Sequence, residues 1–248
     1  MTGSDRAAGT RADRPAGGPV PVLPRAFFAA HALEVAPGLL GCVLEHETGE
    51  GLVAVMLTEV EAYEGAADPA SHAFRGRTSR NAVMFGEPGH AYVYFTYGMH
   101  FCVNMVCQPA GTASAVLLRA GRVTDGIPLA EARRVAGRNG ARPVAEHDLA
   151  RGPARLCQAL AIDRRLDGAD VCDPASPLRI RPSVRAGSGG AVPDVSQGPR
   201  VGISAAADRP WRFWLTGDPT VSPYRPYVPR ARPKPVSSPA AEDETMRG

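Results

Sequence analysis

The chain contains almost no lysine. Lys234 is the single lysine among its 28 basic residues, and all the others are arginine. Because Lys234 lies in a Pro-rich stretch near the end of the sequence, a lysine amine is not available as a nucleophile in a folded domain. Arginine suits bidentate phosphate contacts, but a GC-rich coding sequence would also favour arginine over lysine. The net charge of +3 at pH 7 does not separate these two explanations.

Cysteine is scarce and unpatterned. The five cysteines are an odd number, form no CxxC pair and have no histidine at zinc-finger spacing. We therefore expect reduced cytosolic thiols and predict neither a disulfide framework nor a metal site. Gly-rich nucleotide loops, GxGxxG after a strand or GxxxxGKS/T, are also missing, so we predict no cofactor.

Long apolar segments are missing too. No apolar run approaches the roughly 20 residues of a membrane span, and the first residues contain no apolar signal segment. We therefore expect a cytoplasmic protein with no membrane partner. A hydrophobic content of 44% is ordinary for a globular protein, while 27 Gly and 24 Pro indicate many turns. We predict disordered tails over 1–21 and 229–248 and one folded domain over 22–228.

Hydrophobic patterning predicts an α+β domain. The segment 25–44 has near-helical spacing with a break. Four β-branched and apolar runs predict strands: GLVAVMLTEVEAY, AYVYFTYGMHFCVNMVC, ASAVLLRAG and RPWRFWLTG. Two further segments predict helices: DGIPLAEARRVAG and RGPARLCQALAID. Residues 137–148 and 183–199 lack periodicity and are predicted to be long surface loops. Strands and helices do not alternate regularly, which favours α+β over a doubly wound parallel sheet.

The densest polar stretch is TEVEAYEG, residues 58–65. On a strand, Glu59, Glu61 and Tyr63 project to one side, with the two carboxylates roughly 7 Å apart. Such a pair raises the proton affinity of its less solvated member. A carboxylate beside an aromatic ring and a histidine, such as His72, can act as a general base that activates water. The alternative is an exposed strand face with incidental acids and a histidine that caps or fills a core.

Tyrosines dominate the next predicted strand. Tyr92 and Tyr94 share one face, and Tyr97 precedes Gly98 where the chain turns. An exposed aromatic on a rigid turn suits insertion between bases. Stacking a base on such a ring contributes about 1–3 kcal/mol. The alternative is a tyrosine-rich β core.

Two groups of arginines could contact phosphate. Arg151 and Arg155 lie close to Pro153, which would open a helix with free N–H groups. The second group is a short basic cluster: Arg75, Arg77 and Arg80. An ordinary helix start and a solvated loop are the alternatives.

Together these segments resemble the alkyladenine (3-methyladenine) DNA glycosylase family, as a bacterial member. The matching text, in the expected order, is TEVEAY, DPASHAFRGRTSRNAVMFGEPGHAYVYFTYGMHFCVN, AVLLRAG, RGPARLCQALAID and GPRVGISAAADRPWRFWLTGDPTVS. It covers most of 22–228. The resemblance implies a single α+β domain with a curved, mainly antiparallel sheet, a protruding β-hairpin and surrounding helices.

The resemblance also implies roles for individual residues. Glu61 would be the general base that activates water for attack on C1′ of the damaged nucleotide, and Arg119 would help to hold the water or the flipped nucleotide. Tyr97 would be the wedge that fills the gap left in the base stack. The implied residues of the base pocket are Tyr63, His72, Tyr94 and Asn104. From the two arginine groups described above, the expected DNA-backbone contacts are Arg77, Arg80, Arg151 and Arg155.

The implied reaction is hydrolysis of the N-glycosidic bond of 3-methyladenine and similar purines, which leaves an abasic site for base excision repair. A glycosylase that also cuts the strand needs an amine, typically a lysine or an N-terminal proline. Because residue 2 is Thr2 and the single lysine is Lys234, we expect no strand cleavage.

The expected partner is double-stranded DNA containing damaged purines. We expect a monomer without an obligate protein partner, associated with the nucleoid. Two other classes of protein remain open from the sequence: a non-catalytic nucleic-acid-binding module and a nucleoside hydrolase. A nucleoside hydrolase would act on free nucleosides and would need neither Tyr97 nor the arginines.

Overall fold

The computed structural model describes residues 21–96, 98–136, 142–183 and 194–228. The predicted disordered tails, apart from residue 21, lie outside these residues. Within the described ranges no helix is both long and apolar enough to cross a membrane. All five cysteines are free thiols.

The regular elements are four α-helices and nine β-strands within the described residues. The helices are α1 Arg25–Phe28, α2 Ala32–Leu39, α3 Ile127–Val135 and α4 Pro153–Ala159. The strands are β1 Val43–Thr48, β2 Gly51–Glu64, β3 Ala91–Thr96, β4 His100–Cys107, β5 Ser114–Asp125, β6 Ala150–Arg151, β7 Leu178–Arg181, β8 Val195–Gly198 and β9 Arg212–Leu215. Short 3₁₀ turns join them at Gly65–Ala67, Ala82–Phe85, Glu146–Asp148 and Arg164–Leu166.

The strands form a single sheet with the central order β3-β4-β5-β2-β1-β7. Every described strand pairing is antiparallel. Strand β2 pairs with β5 along one edge and with β1 and then β9 along the other. Helix α2 packs on β2, and α4 packs on β4 and β5. The prediction of a single α+β domain with a mainly antiparallel sheet is therefore confirmed.

A local irregularity in the β2–β5 pair decides which side chains face the core. The register of the two strands shifts on both sides of Glu59. Before it, the odd-numbered residues Val55 and Leu57 join the main hydrophobic core; after it, the even-numbered Val60 and Ala62 do so. Such a β-bulge re-aims the side chains that follow it. The odd-numbered side chains after the shift therefore point away from the main core.

Two predicted segments differ from the structure. Val43 and Leu44, predicted as part of a helical region, belong to β1, because they pair with β2 on one side and β7 on the other. Tertiary pairing here overrides the local spacing. The segment 183–199, predicted as a loop, contains β8, which pairs with β9. This strand has only four residues and is largely exposed, so it shows no alternation of polarity. Residues 137–141 and 184–193 of the two predicted loops lie outside the described residues.

Candidate active site

A cavity of about 400 Å³ opens where β2, β3, β4 and β5 present the side chains that do not join the main core. This is within the range of about 300–1,000 Å³ that is usual for small-molecule sites. On β4, for example, Cys102 and Asn104 line the cavity, while Val103 and Met105 belong to the core. The alternation of β-strands therefore separates the cavity from the core.

Glu61 lies directly behind the cavity wall and is 0% exposed. Its Oε1 accepts a 2.7 Å hydrogen bond from the Val201 backbone N–H and is 3.3 Å from Arg119 Nη1. The Tyr63 hydroxyl donates to its Oε2 at 2.9 Å. These three partners all line the cavity. The carboxylate is therefore fixed in orientation by the same groups that form the wall of the cavity.

Glu59 is a second buried carboxylate on the same face of β2, and it is also 0% exposed. Its Oε1 accepts hydrogen bonds from Arg119 Nε at 2.7 Å, Arg212 Nε at 2.8 Å and Ser222 Oγ at 2.8 Å. Its Oε2 accepts one from the Ser222 backbone N–H at 2.7 Å. Burial by itself would raise the pKa of Glu59, but the charges of Arg119 and Arg212 and the Ser222 N–H bring it below its ordinary value.

Arg119 separates the two carboxylates of β2. It is 6% exposed and contacts Glu59 through Nε and Glu61 through Nη1. Burial opposes its charge, but Glu61 and Glu59 outweigh burial and raise its pKa above the ordinary arginine value. The predicted common face of Glu59 and Glu61 is confirmed. The expectation that the pair raises a proton affinity is wrong for Glu59, because sequence patterning did not show the arginines between and behind the carboxylates.

Three aromatic side chains form one side of the cavity. The Tyr92 and Tyr94 rings stack with centroids 5.5 Å apart and 24° between planes. The His72 ring meets the Tyr94 ring edge-on at 4.5 Å, and His72 Nδ1 is 3.1 Å from the Tyr92 hydroxyl. Burial raises the pKa of Tyr92 to about 12, while burial and the charge of Arg80 lower the pKa of His72. This wall is therefore aromatic and uncharged at neutral pH.

Asn104 and Tyr63 complete the predicted pocket residues. Asn104 is buried, lines the cavity and donates from Nδ2 to the Tyr92 carbonyl at 3.4 Å. Tyr63 faces the cavity on one side, while the guanidinium of Arg200 lies 4.5 Å from the centre of its ring. The structure thus brings every predicted pocket residue, together with Arg119, to the same cavity.

Arg200 is a site residue that patterning alone did not identify. It is buried, pairs with the carboxylate of Asp68, donates to the Ala62 carbonyl at 3.0 Å and lies between the Tyr63 and Trp211 rings. The next residue is Val201, whose N–H holds Glu61. The available signal was the text GPRVGI, which begins the last of the matching segments, residues 198–222.

The four predicted DNA-backbone arginines differ in their exposure and pairing. Arg77 and Arg80 are exposed, and Arg80 donates to the Phe95 carbonyl at 3.2 Å. Arg151 and Arg155 flank the cavity-lining pair Pro153 and Ala154 at the start of α4. Both are paired with Asp148, at 3.6 and 3.0 Å, so part of their charge is neutralised.

Tyr97, the predicted wedge, lies outside the described residues. It falls between β3 and β4, which form an antiparallel hairpin. Its neighbour Met99 is 67% exposed, and Gly98 has a positive φ of 67°. His100, for which the sequence predicted no role, lines the cavity.

Comparison with known proteins places the chain in a family. The pattern of the family described as methylpurine-DNA glycosylase matches residues 26–219. A protein of Streptomyces avermitilis is 54% identical over 214 residues, 85% of this chain and 95% of the relative. One of Leifsonia xyli subsp. xyli is 56% identical over 205 residues, 81% of this chain and 92% of the relative. One of Mycobacterium tuberculosis is 48% identical over 205 residues, 80% and 92% respectively.

Each of these three relatives is named "Putative 3-methyladenine DNA glycosylase". The chain therefore belongs to the methylpurine-DNA glycosylase family. It is a DNA glycosylase, an enzyme whose substrate is DNA. Of the classes that the sequence left open, the family assignment excludes the non-catalytic module and the free-nucleoside hydrolase.

Proposed function

We propose that the protein flips alkylated purines, 3-methyladenine among them, out of duplex DNA into the cavity and hydrolyses the N-glycosidic bond with water activated by Glu61. The observation that carries the proposal is the position of the Glu61 carboxylate, which is bound by three groups that line the cavity. The names of the relatives support the substrate class.

The reaction needs one base and one water molecule. The water oxygen forms a bond to C1′ while a water proton passes to the Glu61 carboxylate. The bond between C1′ and the purine nitrogen breaks, and its electron pair leaves with the base. An alkylated adenine is already a good leaving group, and the oxocarbenium-like transition state is stabilised by a nearby carboxylate. The products are the free purine and an abasic site.

The aromatic wall suits a flipped base. Tyr63, His72 and Tyr94 would surround it, with stacking worth about 1–3 kcal/mol per ring contact. Because Asn104 is buried at the cavity wall, its amide would restrict which purine edges fit. Flipping costs a few kcal/mol and less for a weakened pair, which favours damaged bases before they reach the pocket.

We also propose how the enzyme contacts DNA. We assign Tyr97 the role of the wedge that fills the vacated place in the stack. The support is Met99, two residues further along the chain, which is 67% exposed. The DNA-backbone contacts that we propose are Arg77, Arg80, Arg151 and Arg155. We place the enzyme on nucleoid DNA in the cytoplasm, and we propose that it acts as a monomer.

We also propose that the enzyme does not cut the DNA strand. Strand cleavage by a glycosylase proceeds through a Schiff base with an amine. The single lysine of the chain, Lys234, is outside the family-matched region. The test is incubation of purified protein with damaged duplex at neutral pH, where intact abasic DNA is expected and a nicked strand would contradict the proposal.

The central experiment compares wild type with Glu61→Gln on methylated duplex DNA. Release of free methylated purine by the wild type, lost in the variant while binding to abasic-site DNA is retained, is the expected result. Glu45→Gln is the matched control, because Glu45 is also buried and paired with arginines, but its partners Arg179 and Arg181 do not line the cavity as those of Glu61 do. Equal release by wild type and Glu61→Gln would remove Glu61 from the role of base. No release by wild type would overturn the proposed reaction.

A further inference from the structure

We propose that Glu59 is a positioning residue of the reaction: it holds Arg119 by Nε so that Nη1 of the same guanidinium faces Glu61, and its charge sets how strongly Arg119 stabilises ionised Glu61. The inference rests on the proposed function of Glu61. It assigns a second glutamate of β2 to the chemistry without contact with substrate.

Glu59 is held farther from a bound nucleotide than Glu61 is. Both carboxylates are 0% exposed and neither is a lining residue, but all three partners of Glu61 line the cavity, whereas Arg212 and Ser222, which bind Glu59, do not. Both oxygens of Glu59 accept hydrogen bonds within the protein, two from arginines and two from Ser222. We therefore expect any effect of Glu59 on the reaction to pass through another residue.

Arg119 connects Glu59 with Glu61. Its Nε is 2.7 Å from Glu59, its Nη1 is 3.3 Å from Glu61, and it lines the cavity. A guanidinium is planar and rigid, so the hydrogen bond at Nε fixes the direction of the other nitrogens. Arg119 Nη2 also donates a 3.4 Å hydrogen bond to Ser222 Oγ, which is itself a partner of Glu59. The guanidinium is therefore held by Glu59 and by Ser222.

Glu59 and Glu61 compete for the positive charge of Arg119. Two buried carboxylates, Glu59 and Glu61, share Arg119, while Arg212 Nε is 2.8 Å from Glu59 and neutralises it further. The charge that Arg119 offers to Glu61 therefore depends on how well Glu59 is neutralised by its other partners. In a low-dielectric interior such effects are strong over a few ångströms.

Other titratable groups also face Glu61 or Arg119 from the packed elements. They are Tyr63 on β2, Tyr94 on β3 and Cys102 on β4. Arg200, before Val201, faces the ring of Tyr63. Burial raises the pKa of Tyr63, Tyr94 and Cys102, so these three stay neutral through the acid range. Arg200 is paired with Asp68. Glu59, Arg119 and Arg212 are thus the groups whose removal changes the charge next to Glu61.

Two substitutions should move the pH profile in opposite directions. Glu59→Gln removes a negative charge, so Arg119 stabilises ionised Glu61 more strongly and the acid limb of the rate profile moves to lower pH. Arg212→Gln removes a positive charge, so Glu59 draws on Arg119 more strongly and the acid limb moves to higher pH. A purely structural defect would lower the rate without moving the limb.

The experiment measures single-turnover release of 7-methylguanine from duplex DNA across the acid range. This cationic base needs no general acid, so the acid limb reports the base alone. For Glu59→Gln we expect a limb about 0.5–1 pH unit lower than wild type and a plateau up to about 100-fold lower, because Glu61 becomes a weaker base and Arg119 is less well oriented. Arg212→Gln should shift the limb upward by a similar amount.

Glu45→Gln is again the control, because it removes a buried, arginine-paired glutamate from the neighbouring strand and should leave the limb in place. Unmoved limbs in both Glu59→Gln and Arg212→Gln would overturn the inference. If one of these variants does not fold, the other decides together with Ser222→Ala, which removes one donor to Glu59 and should also shift the limb upward. No release by wild type would instead overturn the proposed function, so the two failures are distinguishable.

Discussion

The sheet contains two buried glutamate–arginine clusters on neighbouring strands, and they differ in what surrounds them. On β1, Glu45 is shared by Arg179 and Arg181 of β7, at 3.4 and 2.8 Å. On β2, Glu59 and Glu61 share Arg119, and Glu61 is bound by groups that line the cavity. Strand β1 continues the sheet towards β7, whereas the second half of β2 borders the cavity.

The comparison shows that a buried ion pair is not by itself a functional signal. Burying charges costs free energy that their mutual attraction only partly offsets, and removal of one partner is costly in either cluster. The β2 cluster differs because its partners also face a space that a base can occupy. We therefore expect substitutions in the β1 cluster to change stability alone and substitutions in the β2 cluster to change catalysis as well.

The largest expected effect is on Glu61. Glu61→Gln should lower the rate of purine release about 100- to 10,000-fold, because the amide cannot accept the water proton. Glu45→Gln should leave the rate within about twofold when measured on folded protein. Quantifying free base from methylated duplex under single turnover checks both. A comparable loss of rate in the two variants would mean that the β1 and β2 clusters do not differ in their effect on catalysis.

The next effect is on stability. Arg119→Met leaves two buried carboxylates short of their shared counter-ion and should reduce the free energy of unfolding by about 3–5 kcal/mol. Arg179→Met leaves Glu45 with Arg181 and should cost about 1.5–3 kcal/mol. Urea denaturation of both variants measures the difference. A larger loss in Arg179→Met would mean that the β1 cluster is the more tightly coupled one.

A smaller effect concerns the cavity that makes the β2 cluster different. Tyr94→Ala removes a stacking surface and should weaken the productive complex by about 1–3 kcal/mol, which is roughly 5- to 150-fold. The control is Tyr224→Ala, because Tyr224 is exposed and does not line the cavity. The ratio of rate to half-saturating DNA concentration is the measured quantity. A Tyr94→Ala enzyme as efficient as wild type would exclude base stacking at this wall.

The smallest effect is a pH dependence of stability. The folded-state pKa of Glu59 lies below its ordinary value, so the unfolded chain binds the proton first as the pH falls. The stabilisation that ionised Glu59 gives to the folded protein is complete above about pH 4.3, the ordinary glutamate pKa. This stabilisation is lost as the pH falls through the lower pKa of Glu59 in the folded protein. One such group changes stability by at most about 1.4 kcal/mol per pH unit.

Comparing wild type with Glu59→Gln isolates this contribution. The difference in unfolding free energy between them should shrink as the pH falls through the acid range, and denaturant titrations at several pH values measure it. A difference that stays constant with pH would show that Glu59 does not titrate with a lowered pKa.

Several elements could be predicted because their patterns were strong. The long apolar runs became β2, β3, β4, β5 and β9, and Pro153 opens α4. Strand β7 was not predicted. Leu178 and Ile180 alternate with two arginines there, but four residues are too few for this period-two pattern to indicate a strand. Strands β1 and β8 were missed because their pairing with β7, β2 and β9 decides their conformation.

The sequence by itself determined the fold class and, through the matching motifs, the family, and it predicted Tyr63, His72, Tyr94, Asn104 and Arg119, which line the cavity. Strand periodicity placed Glu59, Glu61 and Tyr63 on one face, and Tyr92 and Tyr94 on another. Only the tertiary structure decided which face of β2 meets the core, because the register shift around Glu59 exchanges odd for even positions there. It also brought Arg119, Arg200 and Arg212 to that face from other strands and from the loop before Val201. Charged residues that are distant in sequence come close only in the folded protein, where little water lies between them and their interaction is strong. No local sequence pattern shows which of them will be close in space.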